Sequence, residues 1–256
     1  MLILLVQVAM IHIMGIVNLT PDSFWEASRA DAATALEKIE SMLAEGADII
    51  DLGAVSTRPG ADPVDVETEW ARLEPVLRQL PQDVILSVDT TSAQIVSRAS
   101  SLLQRPFIVN DISAGEDDPQ MLDTVAALGL RYVAMHKRGN PQTMDALTGY
   151  HSGVVKELIS YFEEFAQRAE ASGLKDWIID PGLGFAKTEQ QNWEILEKLS
   201  ELQSLGRLIL IGAADKRFTH GNNARAHELA ILGGADILRV HNVKETKLQA
   251  QSLLQK

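Results

Sequence analysis

The chain has no cysteine among its 256 residues. That absence removes disulfides, thiolate metal sites and cysteine nucleophiles together, and it fits a reducing cytoplasm. Basic residues are also scarce. Lys and Arg number 23 against 35 Asp and Glu, for a formal net charge of −12, and no run of basic residues breaks that balance. A chain this acidic does not coat nucleic acid or an anionic membrane. If its substrate is anionic, a few placed cations must capture it against the overall field. No stretch is a convincing membrane span either. The apolar beginning "MLILLVQVAMIHIMGIVNLT" is interrupted by Gln7, His12 and Asn18 and has neither a basic leader nor a small-residue cleavage pattern. Linkers, repeats and low-complexity blocks are missing. So are a hydrolytic Ser-His-carboxylate arrangement and His-rich zinc spacing. Asp117 and Asp118 read as the first turn of a helix, where acids favour the dipole.

What is present is a large apolar fraction, 46% of residues, arranged in alternation. Eight short β-branched runs read as strands: "IHIMGIVN", "DIIDLG", "VILSVDT", "PFIVNDI", "RYVAMH", "WIIDPG", "RLILIGA" and "ADILRVH". Between them, apolar spacing predicts helices over 32–45, 66–79, 119–127, 154–172, 189–203 and 224–232. "AEGADIID", "ALGLRYV", "ASGLKDW" and "ILGGADILRV" each set a glycine where a helix closes before the next strand. Strands that alternate with helices form a parallel sheet, because parallel neighbours need crossover connections. Eight such units in one chain of this length point to a single-domain (β/α)₈ barrel, with an open doubly wound sheet as the alternative.

In a barrel the site lies at the carboxyl ends of the strands. Reading those ends gives Asn18, Asp51 and Gly53, Asp89, Asn110 and Asp111, His136, Asp180, Lys216, and Arg239 with His241. Any one of the Asp or Asn residues also serves as a helix cap. The convergence of so many polar ends on one face is what argues for a site. Their chemistry divides into two jobs. Asp89, Asn110, Asp180 and Lys216 suit a flat heterocycle with alternating ring N–H, amino and carbonyl groups. Asn18, Arg58, Arg239 and His241 suit phosphate oxygens, and Asn18 suits an oxygen-ligated Mg²⁺ bridging phosphates. For Arg239 the competing reading is a salt bridge to an aspartate on a neighbouring strand. The segments "LTPDSFWEASRAD" and "GAVSTRPGADPVD" read as loops that close over a substrate.

The motifs "MGIVNLTPDSF", "STRPGA", "SVDT", "VNDIS", "MHKRGNPQTM", "IIDPGLGFAKT" and "ILRVHNVKET" stand in the order seen in the dihydropteroate synthases, and the chain resembles that family from about Ile11 to Thr246. The resemblance implies a (β/α)₈ barrel that joins 6-hydroxymethyl-7,8-dihydropterin pyrophosphate to p-aminobenzoate, giving 7,8-dihydropteroate and pyrophosphate. It implies a pterin held by Asp89, Asn110, Asp180 and Lys216 between Ile112, Met135 and Phe185. It places the pyrophosphate at Asn18, Arg58, Arg239 and His241, with Mg²⁺ at Asn18. Catalytic roles fall to Asp89, Lys216 and Arg239. Thr57 and Arg58 belong to one closing loop and Pro21, Asp22, Ser23 and Phe24 to the other. Family members are commonly dimeric, and the apolar faces of "HELAIL" and "VKETKLQAQSLL" are candidate interfaces.

One segment departs from the pattern. Where the family reads Gly-x-Ser-Arg-Lys-Ser, this chain has "GAADKRF", so Ala214 and Asp215 replace the serine and arginine, and about ten residues are missing after Phe218. Asp215 near an anionic substrate is unfavourable, whereas Arg217 is a candidate partner for the p-aminobenzoate carboxylate. Val55, Ala186 and Asn242 are milder departures. These changes leave open a pterin-binding paralogue without synthase activity. A folate-dependent methyltransferase shares the barrel but needs no pyrophosphate site.

Overall fold

The computed structural model describes residues 11–19, 29–55, 64–139 and 143–255. Eight strands alternate with eight helices. They run β1 (His12–Asn18), α1 (Arg29–Ala44), β2 (Ile49–Gly53), α2 (Val66–Leu77), β3 (Leu86–Asp89), α3 (Ala93–Leu103), β4 (Ile108–Asp111) and α4 (Met121–Ala127). The second half continues with β5 (Arg131–Met135), α5 (Val154–Ser172), β6 (Trp177–Asp180), α6 (Glu189–Glu197), β7 (Leu210–Ile211), α7 (Asn223–Leu232), β8 (Ile237–Val240) and α8 (Val243–Leu254). All strand pairs are parallel, in the order β6-β5-β4-β3-β2-β1-β8-β7. A bridge between Ile179 and Ile209 joins the two ends. The expected barrel is present, and the open-sheet alternative is excluded.

The strands face apolar groups on both sides, as parallel strands do when helices cover them. Ile13, Val17, Ile50, Leu52, Val88, Val109, Tyr132 and Ile179 pack outward into the main core beneath the helices. A separate cluster fills the inside: Met14, Ile49, Ile108, Val133, Ile178, Leu210 and Ile237. Side chains two residues apart on a strand share a face. The next inward position after Ile49 is therefore Asp51, after Ile108 Asn110, after Val133 Met135, after Ile178 Asp180, and after Ile237 Arg239. The apolar plug is a floor, and a polar layer lies directly above it at the strand ends.

Three helices differ from the sequence reading, which predicts neither α3 nor α8 and makes α6 longer than it is. The "SAQIVSRASSLL" segment forms α3, capped by Ser92, whose hydroxyl accepts from the Ile95 N–H. Its three internal serines weaken intrinsic helix propensity, and burial of Ile95, Val96, Ala99 and Leu103 supplies the stability instead. The helix expected over 189–203 breaks at Lys198 and continues as a 3₁₀ segment, Leu199–Leu205. Asp117 and Asp118 precede α4 instead of forming its first turn. Asp118 accepts from the Ala93 N–H at the start of α3, and Asp117 pairs with Lys137.

Candidate active site at the mouth of the barrel

Arg239, from β8, reaches across the mouth to two carboxylates. Its Nε donates to Asp51 Oδ2 at 2.7 Å and its Nη2 to Asp89 Oδ2 at 2.6 Å. Asn110, on β4, donates from Nδ2 to the same Asp51 oxygen at 3.2 Å. Four strands, β2, β3, β4 and β8, are thus tied by one buried network. Gly53 makes room for it, since a Cβ there would stand 3.3 Å from Asp89 Cβ. The salt bridge expected as the competing role of Arg239 is therefore present, in a fork over two carboxylates.

On the opposite side β6 ends at Asp180, which accepts from the Gly182 N–H through Oδ1 at 2.8 Å. Gly182 and Gly184 have φ of +68° and +79°, a conformation only glycine adopts freely. A side chain at Gly182 would run into the His136 carbonyl oxygen, 2.0 Å away. The turn brings the Phe185 ring beneath Lys216, whose Nζ lies 4.5 Å from the ring centroid. The Lys216 stem crosses Gly184, where a Cβ would stand 3.2 Å from Cδ. Buried Met135 closes the wall from β5, and Ile112, at the end of β4, is half-buried.

These charges feel one another. Burial pushes the Asp89 carboxyl up to about 7, against the pull of Arg239, with Asp51, Glu69 and Asp111 adding to the rise. Burial likewise raises Asp180, opposed by its bond from the Gly182 N–H and by Lys216 and Arg239. Burial and Arg239 lower the Lys216 amine to about 8, while Asp180 and Asp89 hold it up. Burial opposes the Arg239 charge, but Asp51 and Asp89 raise it above its usual range. A floor with two carboxyls whose pKa burial raises, one amide, one softened ammonium and one fixed guanidinium has the chemistry to hold a polar flat ring by its edges and an anion above it.

Asn18 ends β1 in register with Gly53, on the inward parity of that strand. His241 follows β8 and is exposed at the rim. Pro21, Asp22, Ser23, Phe24, Thr57 and Arg58 lie outside the described residues. Asp111 and His136 do not join the site. Each follows an inward residue, so each turns outward. Asp111 accepts from the Tyr132 hydroxyl at 2.6 Å and from the Ser113 and Gly115 N–H groups. His136 packs edge-on against Tyr161, ring centroids 4.7 Å apart. Asp51 is only one polar strand end among several in the sequence, yet it joins Arg239 to Asn110.

The departing segment is compact. Asp215 sits at φ +57° and turns its carboxylate to Asn223, accepting from Nδ2 at 2.8 Å while its N–H donates to Asn223 Oδ1. It thus spends its charge at the start of α7. Arg217 is exposed and donates to Asp145 at 3.1 Å, clasping the β7–α7 connection to the β5–α5 loop. The 3₁₀ turn Arg217–Thr219 and the Asn222 cap of α7 bridge the shortened connection. Asn242 caps α8 by accepting from the Glu245 N–H, a role it fills as well as aspartate does. Ala186 is buried at φ +49°, where a glycine sits without strain.

The model of the pterin-binding enzyme family matches residues 14–241. The chain is 38% identical over 251 residues to the dihydropteroate synthase of a Synechocystis species, covering 91% of this chain and 86% of that one. It is also 38% identical to the folic acid synthesis protein fol1 of Pneumocystis carinii, over 91% of this chain. The chain spans only 34% of that longer relative. Among solved structures, the Clostridium difficile dihydropteroate synthase crystallised in the presence of pteroic acid superposes with a TM-score of 0.87 at 32% identity. That likeness covers 95% of each chain.

Proposed function

Since the chain belongs to the pterin-binding enzyme family, with dihydropteroate synthases among its relatives, we propose that it joins 6-hydroxymethyl-7,8-dihydropterin pyrophosphate to p-aminobenzoate, a step of folate synthesis. The observation that carries the reading is the polar layer itself. Asp89, Asn110, Asp180 and Lys216 present acceptors, an amide and a cation around one apolar-walled mouth, and Arg239 stands at its edge.

In this reading the pterin lies between Met135, Ile112 and Phe185 with its amino and ring N–H groups on the carboxyls. Its pyrophosphate meets Asn18, His241 and Arg239. The C–O bond to pyrophosphate breaks, leaving a cationic methylene. The aniline nitrogen then forms the C–N bond and loses a proton to solvent. Asp89 stabilises the developing cation and Arg239 the leaving group. Lys216 donates to the pterin ring. No enzyme nucleophile is required.

For Mg²⁺ the chain offers the Asn18 amide oxygen. Among the described residues no three His, Asp or Glu side chains gather into a metal-holding group. Such a donor set suits an ion that takes its remaining oxygens from phosphate and water. When bound, Mg²⁺ supplies charge neutralisation of the pyrophosphate. Arg217 is the residue assigned to the p-aminobenzoate carboxylate, exchanging Asp145 for it. The loop residues Pro21, Asp22, Ser23, Phe24, Thr57 and Arg58 are assigned to the second substrate on their sequence motifs alone.

The reading is tested by supplying both substrates with Mg²⁺ and following pyrophosphate. Release that needs p-aminobenzoate supports it. A second reading, a pterin-binding protein without synthase activity, draws on the engagement of Arg217 by Asp145. Tight pterin binding without release would favour it. The exposed Leu232 and Leu248 on α7 and α8 suit a homodimer contact, which sedimentation analysis checks. No helix among the described residues is long and apolar enough to cross a membrane, and a cytoplasmic setting is the one we infer.

A further inference from the structure

Lys187 has no part in the chemistry above, yet it is buried, with only 9% exposure. Its Nζ lies 3.0 Å from each of three acceptors: His136 Nδ1, the Gly182 carbonyl and the Phe185 carbonyl. An ammonium carries three N–H donors and no lone pair, so the three contacts satisfy it completely. In its ammonium form Lys187 can only donate, so His136 then accepts at Nδ1 and carries its proton on Nε2. Burial and the nearby Lys187 and Arg138 charges lower the His136 pKa in the same sense. Burial also lowers the Lys187 amine, to about 7, with Asp180 opposing the loss of charge.

The turn it holds is also pinned from outside, by Asn192, whose Oδ1 accepts from the Gly184 N–H at 2.7 Å, and by the Tyr150 hydroxyl, which donates to the Ala186 carbonyl. Among the described residues, though, only Lys187 ties the Gly182 and Phe185 carbonyls to the end of β5. Gly182, Gly184 and Ala186 all have positive φ, so the segment forms no helix or ladder of its own. Gly182 gives its N–H to Asp180, Gly184 lies under the Lys216 stem, and Phe185 lies under the Lys216 ammonium. The turn therefore touches three of the groups assigned to the pterin. We propose that Lys187 is a positioning residue for pterin binding, its three hydrogen bonds fixing the turn that sets Asp180, Phe185 and Lys216 relative to one another. The inference rests on the pterin reading and adds to it a residue that never meets the substrate.

The test is calorimetric titration of 6-hydroxymethyl-7,8-dihydropterin pyrophosphate, with Mg²⁺, into wild type, Lys187→Met and Lys187→Gln. Thermal melts of each report folding, and KM is measured for p-aminobenzoate. Lys187→Met keeps the stem but orphans all three acceptors, and small displacements in a pre-organised site are costly. Pterin affinity should fall about 10- to 100-fold, while KM for p-aminobenzoate stays within about twofold. Lys187→Gln retains two N–H donors and should lose less, about 3- to 10-fold. If the Met variant does not fold, the Gln variant decides. Wild-type pterin affinity in a folded variant overturns the proposal, as does an equal weakening toward both substrates. A wild type that binds the pterin without turnover overturns the synthase reading alone. A wild type that does not bind it overturns both.

Discussion

Arg239 is the residue on which the two halves of the site depend. Its fork over Asp51 and Asp89 fixes the guanidinium where the proposed reaction brings an anion, and breaking one arm leaves a partly buried charge without its partner. Asp51→Asn should therefore cost about 2 kcal/mol of stability, the scale of a charged hydrogen bond, measurable by urea unfolding. It should also reduce kcat/KM by more than tenfold. Asp89 gives a pH signature. Its carboxyl is raised from 3.8 to about 7, so between those values the folded state holds the proton and the unfolded state does not. Ionising it costs the fold stability that is still present below pH 4 and gone above pH 7. The stability of Asp89→Asn relative to wild type should rise with pH across that window and level off above it. A flat difference would show that Asp89 titrates normally. Much of this residue set was legible from sequence, because strand ends in a barrel are identifiable. What single positions conceal is parity: Asn110 and Asp111 are adjacent, and only the first faces the mouth.

At the scale of elements, the turn after β6 and the connection after β7 do the shaping. Gly182→Ala adds a methyl 2.0 Å from a carbonyl oxygen at φ +68°. Two of the strongest backbone penalties coincide, and a loss of more than about 2 kcal/mol is expected by thermal or urea unfolding. The β7–α7 connection explains why Asp215 is tolerated: Asn223 occupies its carboxylate. Arg217→Ala should raise KM for p-aminobenzoate at least about tenfold, the scale of one charge-assisted bond, and leave the pterin KM nearly unchanged. Equal effects on both would remove Arg217 from the carboxylate. The stability cost should be small, because the exposed pair with Asp145 contributes little. Sequence patterns place the strands within about three residues but pass over α8 and, more tellingly, α3. Its serines hide a periodicity that only tertiary burial rewards.

For the whole molecule, an acidic chain of net charge −12 must admit two anions. Long-range repulsion is screened by salt while the short contacts at Arg239 and Lys216 are not. Moderate salt should therefore raise kcat/KM for the pterin pyrophosphate, and a steep fall would mean that local cations govern the approach. The inner plug of seven apolar side chains carries a polar layer on the strand ends. The central claim is that this layer performs the condensation. The most direct measurement is the yield of product when purified protein is given 6-hydroxymethyl-7,8-dihydropterin pyrophosphate, p-aminobenzoate and Mg²⁺. Catalytic formation of 7,8-dihydropteroate in equal amount to pyrophosphate is the expected result. Pterin bound tightly at the mouth with no 7,8-dihydropteroate formed at saturating p-aminobenzoate would contradict it.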